Sequence, residues 1–122
     1  MAAPDAVVNL AAKISQLSAH WSPAVVAEAN GWHVKVVKVA GEFVWHSHDV
    51  DELFLVLAGH LVIELQQLPA AHLGPGDVFV VPAAVNHRPV ADGVCDLVLI
   101  EPAETVNTGN AGGSRTTSER WL

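Results

Sequence analysis

Three histidines and one glutamate carry the chemistry that this sequence could do. His46-Ser47-His48 is followed, after Asp49-Val50-Asp51, by Glu52, and His87 comes far along the chain just after Pro82. Three imidazoles and a carboxylate form a donor set for a divalent transition metal. Successive side chains of an extended chain point to opposite faces, so His46 and His48 project from one face of one strand and can share an ion. Glu52 is in phase with both if the chain stays extended, although the acidic run before it reads as a turn that redirects it. His87 must arrive from another strand. Only a closed or sandwiched sheet brings the inward faces of distant strands within about 2 Å of one ion. Four protein ligands in an octahedral sphere leave two positions for water, substrate or dioxygen, whereas a closed four-coordinate site would be structural.

The elements that must position these residues read as short strands. Residues 5 to 18, with Val8, Ala11, Ala12, Ile14 and Leu17, come close to helical spacing and predict a short helix. Pro23 opens AVVAEA, and Asn30-Gly31 is a two-residue hairpin signal before the partly alternating WHVKVVKVA. After the histidine strand, ELFLVL and HLVIEL read as a second hairpin joined at Ala58-Gly59. AHL runs into the turn Gly74-Pro75-Gly76-Asp77 and on to DVFVV, and HRPVA, an Asp92-Gly93 turn and VCDLVLIE close the series. About eight short strands separated by turn residues predict an antiparallel sandwich or barrel. Beyond Pro102 the chain loses periodicity, and ETVNTGNAGGSRTTSERWL reads as an irregular tail over the surface with Trp121 as its anchor. The expected division is an N-terminal helical segment over 1–22, a barrel over 23–102 and the tail over 103–122. ELFLVL is apolar on both faces, so its outer face needs cover, which points to a homodimer.

The site residues and their surroundings resemble the cupin family. Its first motif runs Gly, His-x-His, three or four residues, Glu, six residues, Gly. Here it reads Gly41-EFVW-His46-S-His48-DVD-Glu52-LFLVLA-Gly59, with four rather than five residues between the first Gly and the first His. The second motif reads Gly76-DVFVV-Pro82-A-Ala84-VN-His87-RPV-Ala91, with Ala84 where the family usually has Gly and Ala91 where it has Asn. All four ligand positions match. The resemblance implies an all-β, antiparallel jelly-roll barrel (a double-stranded β-helix) with a short N-terminal helix, holding one divalent metal through His46, His48, Glu52 and His87. Iron, zinc, manganese, nickel and copper stay open as the metal. It is similar to small single-domain members of the mannose-6-phosphate-isomerase-like and polyketide-cyclase-like kind. What that implies is a metal-centred reaction on a small organic molecule: dioxygenation at a redox-active metal, or isomerisation or cyclisation with zinc as Lewis acid. The family hosts many chemistries on one site. A non-catalytic module that binds a metal or small molecule is the competing class.

Composition narrows the partners. Six basic residues against 13 acidic give a formal charge of −7, which repels a phosphate backbone and argues against nucleic acid. No apolar stretch approaches the roughly 18 residues that span a membrane, and the N-terminus lacks a basic region followed by an apolar one, so a cytoplasmic protein is expected. Lone Cys95 lies in an apolar run and reads as a small buried hydrophobe. The absence of tyrosine removes a phenolic base and argues against the cupin lyases that depend on one. Acid–base work would then fall to a metal-bound hydroxide, to Glu52 if it leaves the metal, or to a pocket residue such as Glu42 or Glu64. His20, His33, His60 and His72 have no partner at ligand spacing and read as structural. Asp51 is expected in solvent at a turn. Trp45 alternates outward from His46, Phe43 and Trp32 read as core packing, and Arg88 is expected to point away from His87 toward an edge or a subunit contact.

Overall fold

Asn30 and Gly31 both take positive φ, 53° and 77°, the two-residue turn whose twist matches its flanking strands. In the computed structural model, which describes residues 7–122, this turn folds β1 (Ala24–Ala29) back onto β2 (Trp32–Glu42). The remaining strands are β3 (Glu52–Ala58), β4 (Leu61–Leu65), β5 (Leu68–Leu73), β6 (Val78–Val81) and β7 (His87–Pro102). Every strand pair is antiparallel, in the order β1-β2-β7-β3-β6, with β4 and β5 added on the first part of β7. This is the expected all-β jelly roll.

The long β7 departs from expectation. Asp92-Gly93 does not end a strand. Gly93 takes φ 80° and residues 92–94 stay exposed, while the strand continues through a bend. Its first part, His87–Ala91, pairs with β4, and its last part, from Cys95 onward, is held between β2 and β3. Two strands expected from sequence are thus one, and seven are seen among the described residues. Ala58-Gly59 does not make a hairpin either. β3 and β4 both pair with β7, at Asp96–Ile100 and His87–Ala91 respectively, so Gly59 sends the chain from one part of that strand to the other. The hairpin lies later, between β4 and β5, where Gln67 takes φ 63°. His46 and His48 lie in an extended segment outside any strand, with one bridge from His46 to His87. The Gly74–Asp77 turn is present, closed by Asp77 N–H to Gly74 O at 3.0 Å and Gly74 N–H to Asp77 Oδ2 at 2.8 Å.

Alternation sorts the side chains into two layers. Val37, Val39, Phe54, Val56, Leu97 and Leu99 fill the interior. The outer face carries Ala24, Val26, Val36 and Val98, covered by Ile14 and Leu17 from the N-terminal segment and flanked by Leu55, Leu57 and Leu122. The helix is shorter than the spacing suggested: α1 spans Leu10–Ile14, capped by the Asn9 side chain, which accepts from Ala12 N–H. Ser15 ends it, and Leu17 packs from beyond the helix. Residue 5 and its neighbour lie outside the described residues. On the outer face of ELFLVL, Leu53, Leu55 and Leu57 remain half-buried. Val78 and Val80 on β6 remain 56% and 43% exposed. No helix among the described residues is long and apolar enough to cross a membrane.

Gly59 shows how closely the chain is drawn across β7. It takes φ 87°, and a Cβ there would lie 2.6 Å from Val94 O and 2.9 Å from Cys95 Cα, both backbone atoms. Gly59→Ala is expected to destabilise the fold by about 2 kcal/mol or more, through a left-handed conformation and an overlap that only backbone movement relieves. Chemical denaturation checks this, and an unchanged midpoint would refute the close approach.

Candidate metal centre

The His46–His87 bridge is reciprocal: His46 N–H donates to His87 O at 3.0 Å and His87 N–H to His46 O at 2.8 Å. Two of the candidate ligands are thereby fixed to each other through their backbones. Their rings are fixed as well. Nδ1 of His46 lies 2.9 Å from Val44 O, and Nδ1 of His87 lies 2.9 Å from Val85 O. A carbonyl only accepts, so both Nδ1 atoms carry the proton and each Nε2 presents a lone pair, the tautomer that metal-binding histidines use. Glu52 enters at the start of β3, and Ala84 N–H holds His48 O at 2.7 Å. Ala84 itself takes φ 69°, the left-handed conformation for which glycine would be the natural choice.

The four side chains are 0–8% exposed and present ligand atoms that all lie within 4.8 Å of one another. Glu52 Oε1 is 3.5 Å from His48 Nε2 and 3.4 Å from His87 Nε2. None of these three buried atoms has a hydrogen-bond partner. A buried polar atom without a partner costs about 1–3 kcal/mol, and three of them facing one point fit a cation as their common partner. The donor set and the orphaned atoms therefore fit a divalent transition metal.

Electrostatics favour the same protonation states. Burial is the main reason that His46 falls from 6.5 to about 4, with His87 and His48 adding to it against the Val44 hydrogen bond and Glu52. Burial pushes Glu52 up, but the contacts with His48, His87 and Glu101 outweigh it and hold the carboxyl well below its ordinary value. A neutral imidazole and an ionised carboxylate are the forms a divalent metal takes.

Glu101 is a site residue that the sequence reading missed. It is 1% exposed, and Oε1 accepts from Lys35 Nζ at 2.9 Å while Oε2 has no partner. Burial above all, then the nearness and negative charge of Glu52, raise it to about 9, against the pull of Lys35. Lys35 Nζ also donates to Thr105 O at 3.3 Å and lies 3.6 Å from Glu119. The signal was one of phase: Lys35 alternates with Val37 and Val39, and Glu101 with Leu97 and Leu99, so each charge falls on an inward-facing row.

Glu101, Glu52, His46 and Asn107 are the polar lining of a narrow recess with a cavity volume of about 30 Å³. The rest of the lining is apolar, among it Phe54, Leu99, and Trp21 stacked on Phe43 with centroids 4.7 Å apart. Phe43 thus packs in the interior as expected and also faces the recess. Trp32 does not: it is 41% exposed beside the β1–β2 turn. Glu42 and Glu64 are not pocket acids, because Arg88 holds them outside the barrel at 3.1 and 2.6 Å and lies over the exposed Trp45 ring. Asp51 is exposed and accepts from Ala83 N–H at 2.8 Å. His33 is buried between Glu28 and Glu119, while His20, His60 and His72 are exposed. Cys95 is fully buried, and burial raises its thiol to about 11.

Two predictions follow from the donor set and its charges. Alanine at His46, His48 or His87 should lower metal content and erase the thermal stabilisation that metal gives, read by elemental analysis and melting curves. Unchanged stoichiometry in all three would refute the assignment. In metal-free protein, His46 protonates near pH 6.5 when unfolded but only near 4 when folded, so its contribution is complete above 6.5 and is lost as pH falls toward 4. Glu101 acts oppositely: its folded form keeps a proton to about pH 9, so its contribution is complete below about 4.5 and is lost as pH rises toward 9. Glu101→Gln, which cannot ionise, should flatten that alkaline loss in melting curves, and a slope equal to wild type would refute it.

Comparisons with known proteins agree with this architecture. A model of the cupin domain family matches residues 31–101. The protein YdbB of Bacillus subtilis is 32% identical over 83 residues, covering 67% of this chain and 71% of YdbB. The crystal structure of a cupin-2 domain containing protein from Shewanella frigidimarina is 44% identical with a TM-score of 0.76, covering 79% of this chain and 94% of that one. Hydroquinone 1,2-dioxygenase from Sphingomonas sp. TTNP3, solved with 4-hydroxybenzoate bound, is 15% identical with a TM-score of 0.67 over 77% of this chain and 72% of its own, a likeness of fold alone. With its motifs, its jelly roll and the family match over more than half its length, the chain belongs to the cupin family.

Proposed function

We propose that this protein is a metal-dependent enzyme that holds one divalent transition metal through His46, His48, Glu52 and His87 and acts on a small, largely apolar organic molecule bearing a hydroxyl or enol group. The observation that carries this reading is the recess, in which His46, Glu52 and Glu101, with Asn107, are the polar lining of a mostly apolar space. A bound metal would supply a Lewis acid and, if redox-active, a place for dioxygen. The protein's own part is to bind and orient. Trp21, Phe43, Phe54 and Leu99 take the apolar body of the substrate and exclude water from it. Glu101 Oε2, fixed from behind through Oε1 by Lys35, is placed to hydrogen-bond the substrate's polar group. The 4-hydroxybenzoate of the Sphingomonas dioxygenase is a molecule of this kind, and dioxygenation is the reading we favour.

A second reading rests on Glu101. As the carboxyl that faces the recess beside Glu52, it could move a proton on a substrate carbon or oxygen, as isomerisation or cyclisation requires. The deciding experiment is metal analysis of protein purified without added metal, followed by oxygen-electrode assays of iron- and zinc-loaded protein with small phenols and enediols. Oxygen uptake with iron and none with zinc supports dioxygenation. Turnover with zinc and without oxygen supports isomerisation or cyclisation. No turnover, with the iron spectrum unmoved by every ligand, leaves a non-catalytic binding module.

A homodimer is part of the same proposal. It rests on Val78 and Val80, which continue the apolar outer face to the edge strand β6. Light scattering at high micromolar concentration should give twice the chain mass, and a monomer would remove it.

A further inference from the structure

His48 is held differently from the other two histidines. Nδ1 of His46 and of His87 each bonds the carbonyl two residues back. For His48 that carbonyl is His46 O, which already accepts from His87 N–H. What braces His48 comes from the C-terminal tail. Ser47 N–H donates to Asn110 Oδ1 at 2.8 Å, and Asn110 N–H donates to Ser47 O at 3.0 Å. Beside this clasp Gly109 takes φ 52° and comes so near that a Cβ would lie 2.1 Å from Ser47 O and 3.1 Å from His48 Nδ1. On its other side His48 is tied by Ala84 N–H.

The segment that makes the clasp is itself held in place. Gly109 N–H donates to Val106 O and Ala111 N–H to Thr108 O, at 2.9 and 3.0 Å. Thr108, fully buried, pairs with the Thr116 hydroxyl at 2.5 Å. Asn107 Nδ2 donates to Arg115 O and its Oδ1 accepts from Thr117 N–H, both at 2.9 Å. Further on, Glu119 meets His33 and Lys35, and Val25 pairs with Arg120 and Leu122.

We propose that Asn110 and Gly109 are positioning residues for His48, so that the tail completes the metal centre and sets its affinity and geometry. The proposal rests on the metal reading above. Asn110 is exposed, so replacing it opens no cavity in the core, and an effect on the metal would be transmitted through Ser47 and His48.

The test is titration of the metal-free full-length chain with Co²⁺, reading the dissociation constant and the visible spectrum, alongside melting of the metal-free forms. Asn110→Leu keeps the approximate shape and loses the acceptor, Asn110→Asp keeps an acceptor, and Gly109→Ala forces the loop off Ser47. Asn110→Leu and Gly109→Ala should weaken Co²⁺ binding by about 10–100-fold, the range for outer-shell partners, and shift the spectrum. Asn110→Asp should stay near wild type, and the metal-free melting of Asn110→Leu should be close to wild type. Wild-type affinity and spectrum in Asn110→Leu would overturn the proposal, whatever the fate of Gly109→Ala. Failure of the wild-type chain to bind Co²⁺ would instead overturn the four-residue metal centre on which the proposal stands.

Discussion

The bend in β7 is the constraint on which the site depends. His87 begins that strand and Glu101 lies one residue before its end, 14 residues on. In a straight strand they would stand about 46 Å apart, at about 3.3 Å per residue. Both instead come to Glu52: His87 Nε2 lies 3.4 Å from its Oε1, and Glu101 lines the same recess. The exposed 92–94 segment, with Gly93 at positive φ, turns the strand so that both of its parts face one interior. The crossing at Gly59 serves the same geometry, since it lets β3 pair with one part and β4 with the other. Ladder hydrogen bonds on both parts therefore fix the distance between His87 and Glu101, and the metal donors inherit their precision from the sheet.

The interior is divided along the same strands. Cys95, Leu97 and Leu99 lead to Glu101 on β7, and Val39 and Val37 lead to Lys35 and His33 on β2, with cross-strand partners Val39–Cys95, Val37–Leu97, Lys35–Leu99 and His33–Glu101. One end of the barrel is thus packed with aliphatic side chains and the other carries buried charge. Charges in such a place survive only when paired. Lys35 has Glu101 and Glu119, and Glu28 and Glu119 meet His33. Oε2 of Glu101 and the three donor atoms of His48, Glu52 and His87 stand outside that pairing. Buried groups left over by an otherwise complete network are where a ligand's interactions are strongest, because no internal partner competes for them.

Much of this was legible in the sequence because local rules govern it. Whereas His46 and His48 come together from a segment outside any strand, the turn at Asn30-Gly31 and the Gly74–Asp77 turn depend on neighbours a few residues away, and each appears as read. Trp45 and Arg88 likewise fall outside the barrel as alternation requires. The misreadings share a different origin. Ala58-Gly59 carries a glycine between two apolar runs and so reads as a turn, yet whether the flanking strands pair with each other or both with β7 is decided by long-range pairing. Asp92-Gly93 bends a strand and does not end it because the residues on both sides find partners. Glu42 and Glu64 offered carboxylates near the right positions, but alternation puts them on the outer face beside Arg88. Lys35 and Glu101 were readable in principle from phase, had the charged residues within apolar runs been weighed as inward-facing.

The tail was the least legible part, for a physical reason. Periodicity reports burial against a regular surface, and a segment ordered by side-chain-to-backbone hydrogen bonds has no period to show. Asn107, Thr108, Asn110 and Thr116 act in this way, each satisfying a backbone group or another side chain at a specific place. Such residues look the same in a sequence whether they lie in solvent or hold a loop. What separates the two cases is the fixed partner: Glu119 is anchored to charges that the barrel has to bury, and Asn110 to a peptide that adjoins a candidate ligand. A polar tail can therefore be as firmly placed as a strand. In this barrel it lies against the centre on the side where the strands leave His48 without a hydrogen-bonded brace of its own.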